Sequence, residues 1–572
     1  MKTKEVACSS DTILPEPKEE FRTWAEETNE TSRRVRVLLT SVFGPYAQDD
    51  EFGSRKINPM ELFHNQITRA QGAFSLRNFH NSWGIKMIQE NISAPSAVLD
   101  FPTLDAFEQE LTSHKYDIVG ISSIIVNVGK VKEMCRIVRR FSPDSKIVVG
   151  GHVAAIPGVE KEVDADHIVK GEGISWMRRY LGEDSNAPIK HPILYAGFGL
   201  RMMGIPVPEA FSPRQAVIIP SVGCPMGCNF CTTSAFFGGK GKFTDFLKTG
   251  GDVFRVMREA ESNLGVNEFF IMDENFLLHK KRAMELLDMM KKGDKGWSLF
   301  VFSSANALQQ YTMEELVELG VNAVWMGLES PRSGYAKLKG VDTRKLVGDL
   351  QSHGIWTIGS TIIGLPHHTP ENMNDEIEHA VAHETDFHQF MLYTPVPGTP
   401  LYSETEAKGL LLKSIDFADI HGQYKFNFRH PAISRGDSKK FLDHAFQRDF
   451  ERNGPSLYRV IRTMLEGWKR YKEHPDPRVR KRFQGQAKLL KTIYNGTLMA
   501  MEQMYREKKD ENMAGRIRAL RLEIEKEFGL TARVSAHLFG PVLKWTVRRE
   551  EERLARGQTY EPQTSIERKN WD

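Results

Sequence analysis

Three cysteines fall within eight positions, Gly223-Cys224-Pro225-Met226-Gly227-Cys228-Asn229-Phe230-Cys231, in a chain that has only five cysteines among 572 residues. Thiolates at Cys-x3-Cys-x2-Cys spacing can converge on one soft metal centre, because iron–sulfur clusters are held by cysteine sulfur. A [4Fe–4S] cluster takes four ligands and no fourth cysteine lies near, so one iron is left open to bind and activate another molecule. Gly223 and Gly227 let the loop wrap around such a centre without steric conflict. Structural zinc is the competing account, but zinc completes its tetrahedron with a further Cys or His at close spacing. The next histidine downstream is His279, too distant for that pattern. Cys224, Cys228 and Cys231 are therefore expected to hold an open-site cluster. Cys135 reads as a core residue and Cys8 has no partner, so no second cluster can be built. So few cysteines exclude a disulfide scaffold and point to metal or redox chemistry in a reducing, cytoplasmic compartment.

The elements that must position this loop read as two alternating series. The first runs through Val35–Leu39, Ala97–Phe101, Ile118–Ile125, Ile147–Val149 and His167–Val169. Between its third and fourth runs, Val131, Met134, Cys135 and Val138 make one face of a helix. Strands separated by helices predict a parallel sheet covered on both faces, with ligands at the carboxyl ends of the strands. Those ends carry Thr40-Ser41, Ser122-Ser123, Gly150-Gly151-His152 and Gly171-Glu172, small or polar residues that let backbone approach a bulky ligand. The second series begins at Ala216–Ile219, just ahead of the cysteines. It continues through Glu268–Met272, Leu299–Phe302, Ala323–Met326, Thr357–Ile363 and Phe390–Leu392. Six strand–helix units predict an open or partial β/α barrel. The expected α/β organisation is a polar tail (1–33), a doubly wound domain (34–186), a Pro/Gly-rich linker (187–213), the barrel (214–410) and a helical, basic C-terminal region (411–572). With 40% apolar and 26% charged residues, the composition excludes a disordered chain. The apolar runs are too short to cross a bilayer, and Met1–Pro15 mixes Lys2, Lys4, Glu5 and Asp11 and has no secretory character.

The cysteine loop, with Phe230 before its third cysteine, resembles the signature of the radical S-adenosylmethionine (SAM) superfamily. Ile271-Met272-Asp273-Glu274-Asn275-Phe276, Gly327-Leu328-Glu329-Ser330, Ile362-Ile363-Gly364-Leu365-Pro366 and Thr394-Pro395-Val396-Pro397-Gly398-Thr399-Pro400 look like its later strand ends. The doubly wound domain ahead of this core is similar to that of the cobalamin-dependent class, and the resemblance spans roughly residues 35–405. Many cobalamin domains carry Asp-x-His-x-x-Gly, whose histidine ligates cobalt. Here the loop after Leu39 reads Thr-Ser-Val-Phe-Gly-Pro-Tyr, so cobalamin is expected without an imidazole from that position. The resemblance implies a [4Fe–4S] cluster whose open iron chelates SAM, and an electron donor such as flavodoxin or ferredoxin. Reductive cleavage then gives a 5′-deoxyadenosyl radical that takes hydrogen from an unactivated carbon, and a cobalamin-borne methyl group is transferred. It also implies SAM contacts at Asp273, Glu274, Ser304 and Glu329, and cobalamin contacts at the strand ends of the first domain. Methylthiotransferases acting on tRNA are excluded, since Cys8 and Cys135 cannot supply their second cluster. Maturases with cysteine-rich extensions fail because no cysteine follows Cys231.

Residues 451–572 carry 27 Lys/Arg against 17 Asp/Glu, a balance of +10 in a chain of net charge +3. Leu457, Ile461, Met464, Leu465 and Trp468 form a helical stripe, with Arg459, Arg462, Lys469 and Arg470 off it. A basic amphipathic helix with Trp suits peripheral contact with the inner face of a membrane; packing against the barrel is the plain alternative. Nucleic acid is not favoured, because no stacking motif accompanies the charge. The texture resembles the branch that acts on membrane lipids, hopanoid methylases and membrane-spanning lipid synthases. The expectation is C–C bond formation, by methylation or chain coupling, at an unactivated carbon of a lipid-like substrate. A tetrapyrrole cyclase or small-metabolite methylase is the alternative within enzymes, and a metal-stabilised binding module the alternative outside them.

Overall fold

The computed structural model describes residues 21–30, 34–46, 51–54, 56–202, 205–206, 215–330, 332–556 and 562–571. Most of the segment read as a polar tail, with Cys8, lies outside them, as do parts of the linker. Within the tail, Thr23 caps a short helix, Trp24–Thr28, and Trp24 is buried beneath the first sheet's helices.

The first series forms five parallel strands: β1 (Val37–Thr40), β2 (Ser96–Asp100), β3 (Ile118–Ser122), β4 (Lys146–Gly150) and β5 (His167–Ile168). Their order is β2-β1-β3-β4-β5, a doubly wound arrangement whose switch point lies beside β1. Helices on both faces bury the strands, which is why they read as unbroken apolar runs. Val131, Met134, Cys135 and Val138 of helix Val128–Phe141 are all fully buried against one face.

The second series forms six parallel strands: β6 (Gln215–Ile218), β7 (Glu268–Ile271), β8 (Ser298–Ser303), β9 (Val321–Gly327), β10 (Trp356–Ile363) and β11 (Phe387–Leu392). They follow one another in order, with Leu194–Tyr195 antiparallel on the β6 edge, so the barrel is open. Capping boxes start helices Gly250–Leu264 (Thr249, Asp252) and Met313–Leu319 (Thr312, Glu315), and Gly265 and Gly320 end them in the left-handed region. The barrel interior is closed by Phe270, Phe300, Phe302 and Trp325, and Phe63 packs against Trp325 and Phe387.

Six long helices follow: α1 (Arg435–Asn453), α2 (Ser456–Tyr471), α3 (Pro477–Leu489), α4 (Asn495–Glu507), α5 (Glu511–Phe528) and α6 (Leu530–Ala555). The stripe of α2 that suited a membrane is packed inward. Leu457, Ile461, Met464 and Leu465 are buried, and Trp468 is half-buried and donates to Glu527 at 3.0 Å. Arg459, expected on the surface, is fully buried and paired with Asp449 at 2.7 Å. The chain does not stay helical to its end either. β12 (Ser565–Lys569) returns to pair antiparallel with β2, and its charges are met by Glu110, Glu90 and Lys86 of the first domain.

Candidate functional site

The cysteine loop leaves β6 through a short hairpin, Ser221–Val222 against Thr244–Asp245. Gly223 and Gly227 adopt φ of +89° and +68°, and added Cβ atoms would stand 2.7 Å from Phe237 Cβ and 2.5 Å from Lys240 Cβ. Neither position has room for a side chain. The loop is pinned by Cys231 N–H donating to Cys228 O (3.0 Å) and Ser234 Oγ donating to Cys224 O (2.7 Å). All three thiols are free, and burial raises their pKa values, that of Cys224 to about 11. A bound metal centre reverses that preference, because it takes the thiolate.

Among the described residues, the group of three metal-capable side chains gathered within 4.8 Å is His367, His368 and Glu376. The cysteine sulfurs are not drawn together that closely. The histidine group is committed to structure. His368 Nδ1 accepts from the Gly364 and Leu365 N–H groups (3.0 and 3.2 Å), leaving its proton on Nε2, while Glu376 is held by Arg332 and Ser330.

The strand-end polar residues divide into two kinds. Asp273 is buried and fully engaged: it pairs with Arg282 and accepts from Ser221 Oγ (2.5 Å) and Asn275 N–H (3.0 Å). Ser304 Oγ accepts from Asn275 Nδ2 at 3.0 Å. These two brace the strand ends. Glu274 and Glu329, in contrast, each keep a buried carboxylate oxygen with no partner. Burial and the neighbouring Asp273 push the Glu274 carboxyl up to about 8. Glu329 sits in the left-handed region (φ +49°) and pairs with Lys337. Burial opposes the Lys337 charge, but Glu329 and the Cys228 sulfur outweigh it and raise its pKa. Both carboxylates register on the loop sulfurs, Glu274 on Cys224 and Cys231, Glu329 on Cys228. Unsatisfied buried acceptors beside the loop fit the ammonium and ribose hydroxyls of SAM. Lys337 and the Tyr335–Asn229–Tyr393 chain (3.3 Å at each link) were not legible in the sequence, for no motif marks them.

One cavity is walled by the loop itself at Met226, Cys228 and Asn229, with Lys337 opposite, and two others lie on the side of the first domain. The first of these, about 230 Å³, opens at the carboxyl ends of β3, β4 and β5 between helices Trp83–Glu90 and Gly173–Tyr180. Ser122, Gly150, Gly151, His152, Gly171 and Glu172 line it, and Phe236 and Phe237, just past the cysteines, close its far side. A Cβ on Gly151 (φ +77°) would meet Ser123 O at 2.5 Å, whereas one on Gly150 would enter open space. Glu172 caps helix Gly173–Tyr180, and His152 stacks on Phe236 at 4.8 Å between ring centroids. Thr40, Ser41 and Ser123 do not line the cavity. Ser41 Oγ instead accepts from Phe101 N–H at 3.1 Å, and Thr40 Oγ1 donates to Ser41 O at 2.8 Å. The second cavity, about 390 Å³, reaches from Ile124–Val126 and His152 to Phe230, Cys231 and Thr232. Its remaining walls include Ile362, Met391, Leu392, Val396 and Ile420, so it is largely apolar. His152 borders both cavities, and burial lowers its pKa to about 4, so the ring is neutral.

Comparison with known proteins agrees with this geometry. Residues 218–380 match the radical SAM superfamily model and residues 75–180 the B12 binding domain model. The chain thus carries a radical SAM domain and a B12-binding domain, and it resembles cobalamin-dependent radical SAM methyltransferases. An uncharacterised methyltransferase of Pyrococcus horikoshii is 27% identical, over 52% of this chain and 71% of that protein. Bacteriochlorophyllide d C-8(2)-methyltransferase of Chlorobaculum tepidum is 26% identical, over 61% and 77%. Hopanoid C-2 methylase of Rhodopseudomonas palustris is 24% identical, over 60% and 66%.

The cofactors are thus a [4Fe–4S] cluster, SAM and cobalamin. They supply one-electron cleavage of a sulfonium and delivery of a methyl group, chemistry that side chains cannot perform. The chain's own part is positional. Cys224, Cys228 and Cys231 would hold the cluster. Glu274 and Glu329 would orient SAM, with Lys337 fixing Glu329. The small residues at the ends of β3–β5 would admit the corrinoid, and the apolar walls of the second cavity would keep water from the reacting carbon.

Proposed function

We propose that this enzyme methylates an unactivated carbon of a large, lipid-like substrate. The observation that carries the reading is the second cavity. One apolar chamber touches the cluster loop at Cys231 and the cobalamin-side residue His152, so a substrate lodged there lies within reach of both cofactors. Its apolar lining favours a hydrocarbon over a small polar metabolite. Relatives named for hopanoid and bacteriochlorophyllide substrates support a bulky apolar molecule. They leave the tetrapyrrole as the second reading, favoured by the greater identity of the bacteriochlorophyllide enzyme. Chain coupling has less support, because the relatives are named for methylation or, in the magnesium-protoporphyrin IX monomethyl ester cyclases, for ring closure.

Comparing extracts of a strain with and without the gene tests this. A lipid that loses one methyl group's mass in the deletion supports the proposal. Unchanged lipids with an altered tetrapyrrole would replace it by the second reading. Occupancy of the first cavity has its own check. Gly150→Leu adds a side chain to open space at ordinary φ, so the protein should fold and keep its iron while losing cobalamin from its visible spectrum. Undiminished cobalamin would place the corrinoid elsewhere.

A further inference from the structure

The exposed apolar surface lies on a different helix from the one the charge pattern offered. α6 packs on α4 through Ala532, Ser535, Ala536, Gly540, Leu543 and Val547. Its other side leaves Leu530 73%, Val534 46%, Leu538 65%, Val542 57% and Trp545 56% exposed. At about 100° per residue these five fall within an arc of about 120°, one continuous apolar stripe. Isolated exposed apolar residues are ordinary, but a run of them along one helix marks a contact surface.

The charges around the stripe select the partner. No acidic residue occurs between Glu527 and Glu550, while Arg533, Arg548 and Arg549 are exposed beside it; Arg548 also pairs with Glu507 (3.1 Å) and Arg533 lies 3.7 Å from Glu525, both off the stripe. The Arg549 guanidinium lies 4.5 Å over the Trp545 ring, an amphipathic pair suited to the depth where headgroups meet acyl chains. A second copy of this chain is the poorer occupant. A two-fold contact through the stripe would set these arginines against their own counterparts with no carboxylate on the stripe to answer them. Five side chains also fall well short of the roughly 20–30 residues a stable interface needs on each side.

We propose that α6 docks the enzyme in the plane of an anionic lipid surface, with the Leu530–Trp545 stripe inserted among acyl chains and Arg533, Arg548 and Arg549 on lipid phosphates. The helix would lie on the membrane, not across it. Its far end places Arg553 within electrostatic reach of Glu61, and the neighbouring Pro59 and Gln66 wall the cavity beside Cys231. Docking here would therefore bring that cavity towards the lipid phase, although the docking itself does not depend on what the site transforms.

The test is flotation of the full-length protein with vesicles of phosphatidylcholine alone and of phosphatidylcholine mixed with phosphatidylglycerol, over a salt series. The wild type should float with the mixed vesicles, less with the neutral ones, and less as salt rises. Leu538→Ser/Trp545→Ser should lower partitioning at least tenfold. Arg548→Gln/Arg549→Gln should lower it roughly fivefold for each cation removed, on mixed vesicles only. These positions are exposed, and an unchanged circular dichroism melt confirms that the variants fold; if one does not, the other reads the same surface. Wild-type protein that fails to float with anionic vesicles, or variants that float equally well, would overturn the proposal. So would a concentration-dependent dimer in sedimentation velocity that Leu538→Ser/Trp545→Ser abolishes.

Discussion

Two carboxylates near the cysteine loop look alike in sequence and differ in what surrounds them. Asp273 is saturated by Arg282, Ser221 and Asn275, while Glu329 has one partner, Lys337, and an idle buried oxygen. Their substitutions should therefore separate. Glu329→Gln should weaken SAM binding about tenfold or more, the range for a hydrogen bond to a charged group, with iron content unchanged. Equilibrium dialysis with the reconstituted enzyme measures it. Asp273→Ala leaves the buried Arg282 with Asp245 as its remaining carboxylate (3.2 Å) and should lower unfolding stability by about 1–3 kcal/mol in a denaturant titration. The cysteine motif was legible because spacing alone encodes a shared centre. The division of labour among Asp273, Glu274, Ser304 and Glu329 was not, since it depends on which partners the fold brings from distant segments.

At the scale of elements, the strands were legible for a physical reason. Both sheets are covered on two faces, so each strand is an apolar run that survives without an alignment. The amphipathic stripe of α2 was equally visible, but amphipathicity says that a helix has an apolar side and not what that side meets. In the fold it meets the helices α4, α5 and α6 that follow, while polar residues off the stripe meet the barrel. Thr463 Oγ1 donates to Asp386 at 2.7 Å, and Arg459 reaches Thr385 O (2.7 Å) and Asp449. Removing the carboxylate from this buried pair, Asp449→Ala, should cost about 3–5 kcal/mol of unfolding free energy while leaving the cluster loop intact. A loss under 1 kcal/mol would mean that Arg459 finds water instead. β12 escaped the sequence reading because it buries little apolar surface: Ser-Ile-Glu-Arg-Lys is held by backbone pairing and surface ion pairs. Its return to β2 ties the C-terminus to the cobalamin domain and covers an exposed sheet edge.

Across the whole molecule, no helix among the described residues is long and apolar enough to cross a membrane. Burial holds many histidines neutral. His64 and His388 are lowered to about 3, and His152, His191, His368, His383 and His421 to about 4. Each has a folded pKa below its unfolded value near 6.5, so the unfolded chain takes up protons first as pH falls. The histidines' contribution to stability should be level above about pH 7 and decline from about 6.5 towards 4, against the smaller opposite slope of Glu274, whose carboxyl is held up at about 8. Each such histidine contributes up to about 1.4 kcal/mol per pH unit in that window. Melting temperature followed across that range checks the sign, and a flat profile would contradict the neutral burial of these rings.

The most direct measurement is release of 5′-deoxyadenosine from SAM by the anaerobically reconstituted, reduced enzyme. About four irons per chain and steady release are expected for the wild type, with neither retained by Cys224→Ala, Cys228→Ala or Cys231→Ala. Release that continues after loss of any one of the three sulfurs would contradict an open-cornered cluster as the seat of catalysis.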